Sequence, residues 1–148
     1  MLLNIQIIKF VDTNNFTFVV KFYVKMKKYL IITAILGALT IILGAFGAHA
    51  LNEMLNATEL KSFETAVRYQ MYHVLLLLAV NLYDGFKTKT QKSISNLIFA
   101  GVLCFSGSIY AITFGVDAKY IWYVTPIGGL LLILGWLKLA FSFLKKSK

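Results

Sequence analysis

The sequence predicts an all-α integral membrane protein, a four-helix bundle that crosses the bilayer four times. Of its 148 residues, 59% are hydrophobic and 14% are charged, whereas soluble domains carry about a quarter charged residues. Four apolar stretches have lengths near the about 20 residues that a helix needs to cross the hydrocarbon core. This composition excludes a disordered chain, which needs low hydrophobicity, and the single Cys104 excludes a disulfide scaffold.

Residues 1–25 form a predicted extension that precedes the membrane domain. Apolar pieces of this segment are interrupted by a polar run at 12–15, so no continuous span fits. An apolar run follows directly after Met26 and two lysines, which is typical of a translation start. We therefore expect residues 26–148 to form a single membrane domain that begins at Met26. The alternative is that residues 1–25 form a short amphipathic segment at the membrane interface.

The first predicted span covers residues 29–48 and contains no charged residue. It resembles a secretory signal, because lysines precede the apolar run and Ala48-His49-Ala50 matches a cleavage site. The run of about 20 residues exceeds the about 7 to 15 of a signal peptide, so we expect an uncleaved span.

The second predicted span, residues 67–83, is shorter and carries polar side chains in its first two turns. Ahead of it, apolar residues recur at helical spacing, Thr58 is the expected N-cap, and Glu59 suits the first turn. We therefore expect a short interfacial helix that begins near Glu59 and leads into span two.

The third and fourth predicted spans cover residues 94–114 and 121–144. Both are long enough to cross the membrane, and Lys138 can extend its ammonium to the interface along its aliphatic stem. The connections around these spans are short, so consecutive helices are expected to run antiparallel.

The placement of lysine and arginine predicts the orientation of the bundle. Twelve of the fifteen basic residues precede span one, separate spans two and three, or lie near the end of span four. The positive-inside rule therefore places both termini in the cytoplasm. Anionic lipid headgroups on the cytoplasmic side are the expected partner. Nucleic acid is not expected, because the lysines form no basic domain, and a homo-oligomer is left open.

Polar side chains concentrate at the non-cytoplasmic ends of spans one and two. Glu64 and Arg68 are four residues apart and can pair, and His49 is expected at nearly the same depth. Gln70, His73 and Asn81 share another helix face, which is expected to look inward. Polar groups are costly within the membrane, so we predict one polar cluster between these spans, formed by His49, Glu64, Arg68, Gln70 and His73.

Two interpretations of this cluster stay open. It forms only interhelical hydrogen bonds that fix which helices are neighbours, or its histidines and Arg68 line a polar site in a small transporter or proton-linked carrier. Spans three and four offer no polar residues that complete a pathway, which favours a non-enzymatic structural, regulatory or adaptor role. We predict no metal, no cofactor and no catalytic residue, because two histidines with Glu64 are a sparse ligand set and no nucleophile motif is present.

Small residues are predicted to form the close contacts between helices. Gly44 and Ala48 are four apart and allow a neighbouring helix to approach. The predicted packing residues are Gly44, Gly47, Ala48, Gly107, Gly128 and Gly129.

Four blocks of sequence together resemble a known family. They read GAFGAHAL, FETAVRYQMYH, FSGSIY and TPIGGLLLILGW, in this order. The chain from about Met26 to its C-terminus is similar to the small four-span bacterial inner-membrane family of the YgdD and YwdK type. The resemblance implies the four-span architecture and a location in a bacterial plasma (inner) membrane. It implies no catalytic or binding role, because that family is uncharacterised.

Overall fold

The computed structural model describes the backbone of residues 13–146 and the side chains of residues 27–144. The described residues are helical, with no strand among them, so the all-α prediction is confirmed. The elements are α1 (Thr13–Ala48), a 3₁₀ turn (Leu51–Glu53), α2 (Ala57–Leu82), α3 (Thr88–Thr113), the short α4 (Ala118–Ile121) and α5 (Val124–Lys146). Of the predicted extension, residues 1–12 lie outside the described residues.

Three segments are long and apolar enough to cross a membrane within the described part of the chain. They are Lys27–Glu53, Thr88–Thr113 and Ala118–Leu144. α2 has 26 residues and is about 39 Å long at 1.5 Å per residue, which is enough to cross the bilayer. Its polar side chains reduce its mean hydropathy, so it is not among these candidate spans.

The four long helices pack in the order of the chain. α1 packs against α2, α2 against α3, and α3 against α5. Because α2 and α3 have a long helix on either side, the hydrophobic core forms around them. The core residues are Leu76, Leu77, Val80, Ile94, Ile98, Val102 and Leu132. The outer faces of α1 and α5 expose isoleucine, leucine and phenylalanine side chains, which suits contact with lipid.

The closest helix approach is between α3 and α5, and glycines permit it. A Cβ added at Gly128 would meet the backbone of Phe105. Added at Gly101 or Gly135, it would lie 2.5 Å from the side chain of Leu132 or Ile98, respectively. Gly128 is one of the predicted packing residues, whereas Gly101 and Gly135 are not.

The other predicted packing residues are less crowded. A Cβ at Gly47 would lie 2.9 Å from the ring of Phe63, which is a close approach between α1 and α2. At Gly44, Gly107 and Gly129 the nearest atoms would be 3.5, 3.8 and 3.9 Å away, which is ordinary contact. Ala48 is exposed at the end of α1.

α2 begins slightly earlier than the sequence predicts, and its cap is different. Asn56 is the N-cap, and its side chain accepts hydrogen bonds of 3.0 Å from the backbone N–H groups of Thr58 and Glu59. The Glu59 carboxylate accepts in return from the Asn56 N–H at 3.0 Å. The prediction of Thr58 as N-cap is therefore wrong, because Thr58 already lies inside the helix. The predicted interfacial helix and span two form one continuous helix.

Candidate functional site

The five residues of the predicted polar cluster do not form one site. Glu64 and Arg68 form an ion pair of 4.0 Å in which both side chains are 55% exposed. His49 is exposed just beyond the end of α1. Gln70 and His73 are buried, and they contact different helices. The structure thus brings together only Glu64 and Arg68, because successive side chains of α2 point toward different neighbours.

Gln70 connects α2 to α1. Its Nε2 donates to Thr40 Oγ1 at 2.7 Å and to the Leu36 carbonyl oxygen at 3.2 Å. Thr40 Oγ1 donates to the same carbonyl at 2.8 Å. Gln70 and Thr40 are 3% and 1% exposed, so the bonds form away from solvent. In such surroundings an unpaired amide is costly, and this arrangement specifies how α1 lies on α2.

His73 connects α2 to α5. Its Nδ1 lies 2.7 Å from the carbonyl oxygen of Tyr69, and its Nε2 accepts from the indole N–H of Trp136 at 3.2 Å. A carbonyl accepts and an indole N–H donates, so the neutral imidazole protonated at Nδ1 satisfies both contacts. The His73 ring also stacks on Tyr69 and meets Trp136 edge-on. Both ring nitrogens are thereby engaged.

Asn81 connects α2 to α3. Its Nδ2 donates to Ser95 Oγ at 3.0 Å and to the Leu77 carbonyl oxygen at 2.7 Å. Farther along the same pair of helices, Ser106 Oγ donates to the Ala66 carbonyl oxygen at 2.8 Å. These bonds extend the polar contacts of α2 along its length.

Sequence reasoning missed several partners in these contacts. They are Thr40 of α1, Ser95 and Ser106 of α3, and Trp136 of α5. The available signal is that a hydroxyl or an indole N–H inside an apolar span requires a partner. The spacing along the chain does not say which residue provides it.

A shallow cleft lies between the ends of α1 and α2. It has a volume of about 320 Å³, and its walls include Gly44, Gly47, Glu64 and Arg68. The charged groups that it offers are already paired with each other. Among the side chains described, no three of histidine, cysteine, aspartate and glutamate come together as metal ligands.

Comparison with known proteins identifies the family. Residues 43–129 match the family model described as "Protein of unknown function (DUF423)". A UPF0382 membrane protein of Haemophilus influenzae is 40% identical over 121 residues, which cover 81% of this chain and 97% of that relative. The chain belongs to the DUF423 family. The matched region of this DUF423 protein includes all of α2 and α3, and therefore His73, Asn81 and Ser95.

Other relatives of this DUF423 protein have the same description. The UPF0382 membrane protein SSP2132 of Staphylococcus saprophyticus is 39% identical over 81% of this chain and 99% of its own length. The UPF0382 membrane protein SAB0533 of Staphylococcus aureus is 38% identical over 81% of this chain and 98% of its own length. No solved structure matches the chain. The protein therefore belongs to a family of membrane proteins of unknown function, and the names of its relatives indicate neither an enzymatic nor a transport role.

Proposed function

We propose that this DUF423 protein is a four-span bundle that acts as a non-enzymatic structural or adaptor protein. The observation that carries the proposal is the use of the buried polar side chains of α2. Gln70, His73 and Asn81 each make a hydrogen bond to a different helix, namely α1, α5 and α3. A transport or catalytic site needs polar groups that can bind a ligand, whereas these groups bind neighbouring helices.

The contacts of α2 also support its assignment as a fourth span. The buried polar side chains Gln70, His73 and Asn81, which lower its mean hydropathy, contact protein, so they impose no cost of exposure to lipid. Beyond the exposed pair of Glu64 and Arg68 in its first half, α2 exposes the aromatic and aliphatic side chains of Tyr69, Tyr72, Leu75 and Leu82. This is the pattern expected of a helix that is partly enclosed by other spans.

The distribution of charge supports the proposed orientation. Tyr29, which begins the first predicted span within α1, lies beside the N-terminal part of α3, where its hydroxyl donates to Asn96 Oδ1 at 2.8 Å. These two residues mark one end of the membrane bundle. Within residues 27–144, this end carries six lysines and one aspartate, and the opposite end carries three basic and four acidic residues. The positive-inside rule puts the lysine-rich end, and both termini, in the cytoplasm. As part of the same proposal, we place the protein in the bacterial inner membrane and in the YgdD and YwdK type that its sequence resembles.

A small carrier is the second candidate, and one feature favours it. The cleft beside Glu64 and Arg68 opens at the end of α1 and α2 that the proposed orientation places outside the cytoplasm. Gln70 and His73 do not extend this cleft into the bundle, because they are bonded to Thr40 and Trp136.

Proteoliposomes distinguish the two functions. Purified full-length protein is reconstituted with a pH-sensitive dye inside, and the proton flux is measured under an imposed gradient. We expect the same flux as in liposomes without protein, and no change in Arg68→Gln. A flux that requires protein and is lost in Arg68→Gln would establish the carrier and refute the structural role.

A further inference from the structure

A long apolar groove lies between α1 and α3. Its volume is about 560 Å³, and apart from Gln70 of α2 its described walls come from these two helices. The α1 wall extends from Tyr29 to Leu43 and the α3 wall from Asn96 to Tyr110. The first and last residues of each wall are fourteen positions apart, so at 1.5 Å per residue the groove is about 21 Å long. This exceeds the about 15 Å of hydrocarbon in one leaflet of a bilayer.

The groove stays open because α1 and α3 meet through side chains at its ends. Tyr29 donates to Asn96 at 2.8 Å near one end, and the rings of Phe46 and Phe114 are 6.4 Å apart near the other. Toward the Tyr110 end of the groove, Gly107 contributes no side chain to the α3 wall. An apolar space that faces hydrocarbon loses dispersion contacts if it is empty, so an acyl chain is its natural occupant.

One end of the groove is strongly basic. The contact between Tyr29 and Asn96 places the part of α1 that follows Lys27 and Lys28 beside α3, and the ammonium of Lys138 donates to Ser93 at 2.6 Å. The lysines at this end are Lys27, Lys28, Lys87, Lys89, Lys92 and Lys138, and with Asp84 the net charge is +5. The opposite end has a net charge of −1 over the same described residues. Clustered lysines at a membrane surface attract anionic headgroups.

We propose that this groove binds one acyl chain of an anionic phospholipid, whose headgroup contacts the lysines next to Tyr29 and Asn96. The lipid comes from the leaflet at the lysine-rich end. The inference rests on the proposed four-span bundle, since the groove must face hydrocarbon. It gives the chain a specific lipid site in addition to general attraction to the membrane surface.

Native mass spectrometry tests this site. The full-length protein is taken from nanodiscs of equimolar phosphatidylglycerol and phosphatidylethanolamine into mild detergent, and bound phospholipid is read from the mass. We expect one retained phosphatidylglycerol. Gly107→Leu should weaken binding of this lipid about tenfold, a loss of about 1.4 kcal/mol in binding free energy, and so lower the retained fraction. The new side chain enters the groove, where the nearest atom to its Cβ, Leu103 Cδ1, is 3.8 Å away.

Gly129→Leu is the matched control. It adds the same side chain at a glycine with similar space, 3.9 Å from Phe105 Cδ2, outside the groove. It should retain the lipid, and thermal unfolding of both variants checks that each is folded. Lys27→Gln with Lys28→Gln should retain a lipid but lose the preference for phosphatidylglycerol.

Three results would overturn the inference. They are the absence of bound lipid, equal occupancy in wild type and Gly107→Leu, and a wild-type dimer that Gly107→Leu dissociates, which would make a second copy the occupant. Side-specific labelling of the two ends of α2 in intact cells reports the number of spans separately. If no lipid is bound but the labelling shows that α2 spans the membrane, only the lipid site is refuted.

Discussion

Gln70 of α2 donates a hydrogen bond of 2.7 Å to the hydroxyl of Thr40 of α1, thirty residues earlier in the chain. Thr40 donates to the Leu36 carbonyl oxygen, and Gln70 donates to the same oxygen, so each of the three groups is hydrogen-bonded to the other two. The polar residue that makes α2 less apolar is therefore also the residue that ties α2 to α1.

This contact predicts a measurable coupling between the two residues. Gln70→Leu and Thr40→Val should each reduce the free energy of unfolding, and their effects should be non-additive by about 0.6 kcal/mol, with an upper bound of about 1.7 kcal/mol. Thermal and denaturant unfolding in detergent of the wild type, the single variants and the double variant gives the coupling.

Thr33 is the matched control for Thr40. It is equally buried on α1, and its hydroxyl donates to the Tyr29 carbonyl oxygen of its own helix at 2.8 Å. Thr33→Val should show a coupling near zero with Gln70→Leu. Equal couplings at both threonines would contradict the assigned role of the bond between Gln70 and Thr40.

Neighbouring glycines of α5 should respond differently to the same substitution. Gly128→Ala should destabilise the fold by about 1 to 3 kcal/mol, because the new Cβ meets the backbone of Phe105 and the helices must separate. Gly129→Ala should be neutral or stabilising by up to about 1 kcal/mol, because alanine favours helix and has space. Melting temperatures in detergent make the comparison, and equal values would refute the close contact between α3 and α5.

The ion pair between Glu64 and Arg68 should contribute little to stability. Both side chains are 55% exposed and 4.0 Å apart, and such pairs contribute about 0.2 to 0.5 kcal/mol. Arg68→Gln should therefore change the free energy of unfolding by less than about 0.5 kcal/mol, well below the effect of Gly128→Ala. A larger loss would show that Arg68 has a structural role beyond this pair.

Asp117 should remain ionised to unusually low pH. The ammonium of Lys119, 2.8 Å away, and the Lys119 backbone N–H donate to its carboxylate and lower its pKa below the ordinary value. Since the folded-state pKa is depressed, the stabilisation is present above the ordinary pKa and is lost as pH falls through the folded-state pKa. Carboxyl carbon NMR titration should show the pKa rising in Lys119→Gln. Lys89→Gln, at the other end of the bundle, is the control, and equal pKa values in both variants would exclude the ammonium as the cause.

Sequence patterns predicted the helices better than their ends. The apolar stretch at 94–114 indicates α3, but the helix begins at Thr88, because a helix continues past the bilayer through polar residues that hydropathy does not register. The start of α2 was misplaced for a similar local reason. Asn56 and Glu59 satisfy the first backbone N–H groups together, and this reciprocal pair was not recognised.

The candidate site was less predictable, because it depends on which helices are neighbours. The positions of Gln70 and His73 on α2 indicate buried polar groups, but nothing in the spacing distinguishes α1 from α5 as the partner. His49 and Arg68 are predicted to be neighbours because they lie at similar depth in the membrane. Similar depth does not determine the direction in which a side chain points. Gly101 and Gly135 were missed for the same reason, since their importance comes from Leu132 and Ile98 on the facing helix.

The accessibility of the two ends of α2 tests the four-span bundle most directly. In a Cys104→Ser background, a single cysteine replaces either Lys61 or Lys89, which are exposed near the start of α2 and just after its end. A membrane-impermeant maleimide is then applied to intact cells and to permeabilised cells. We expect that Lys61→Cys is labelled in intact cells and that Lys89→Cys is labelled only after permeabilisation. Labelling of both from the same side would show that α2 does not cross the membrane and would contradict the four-span bundle.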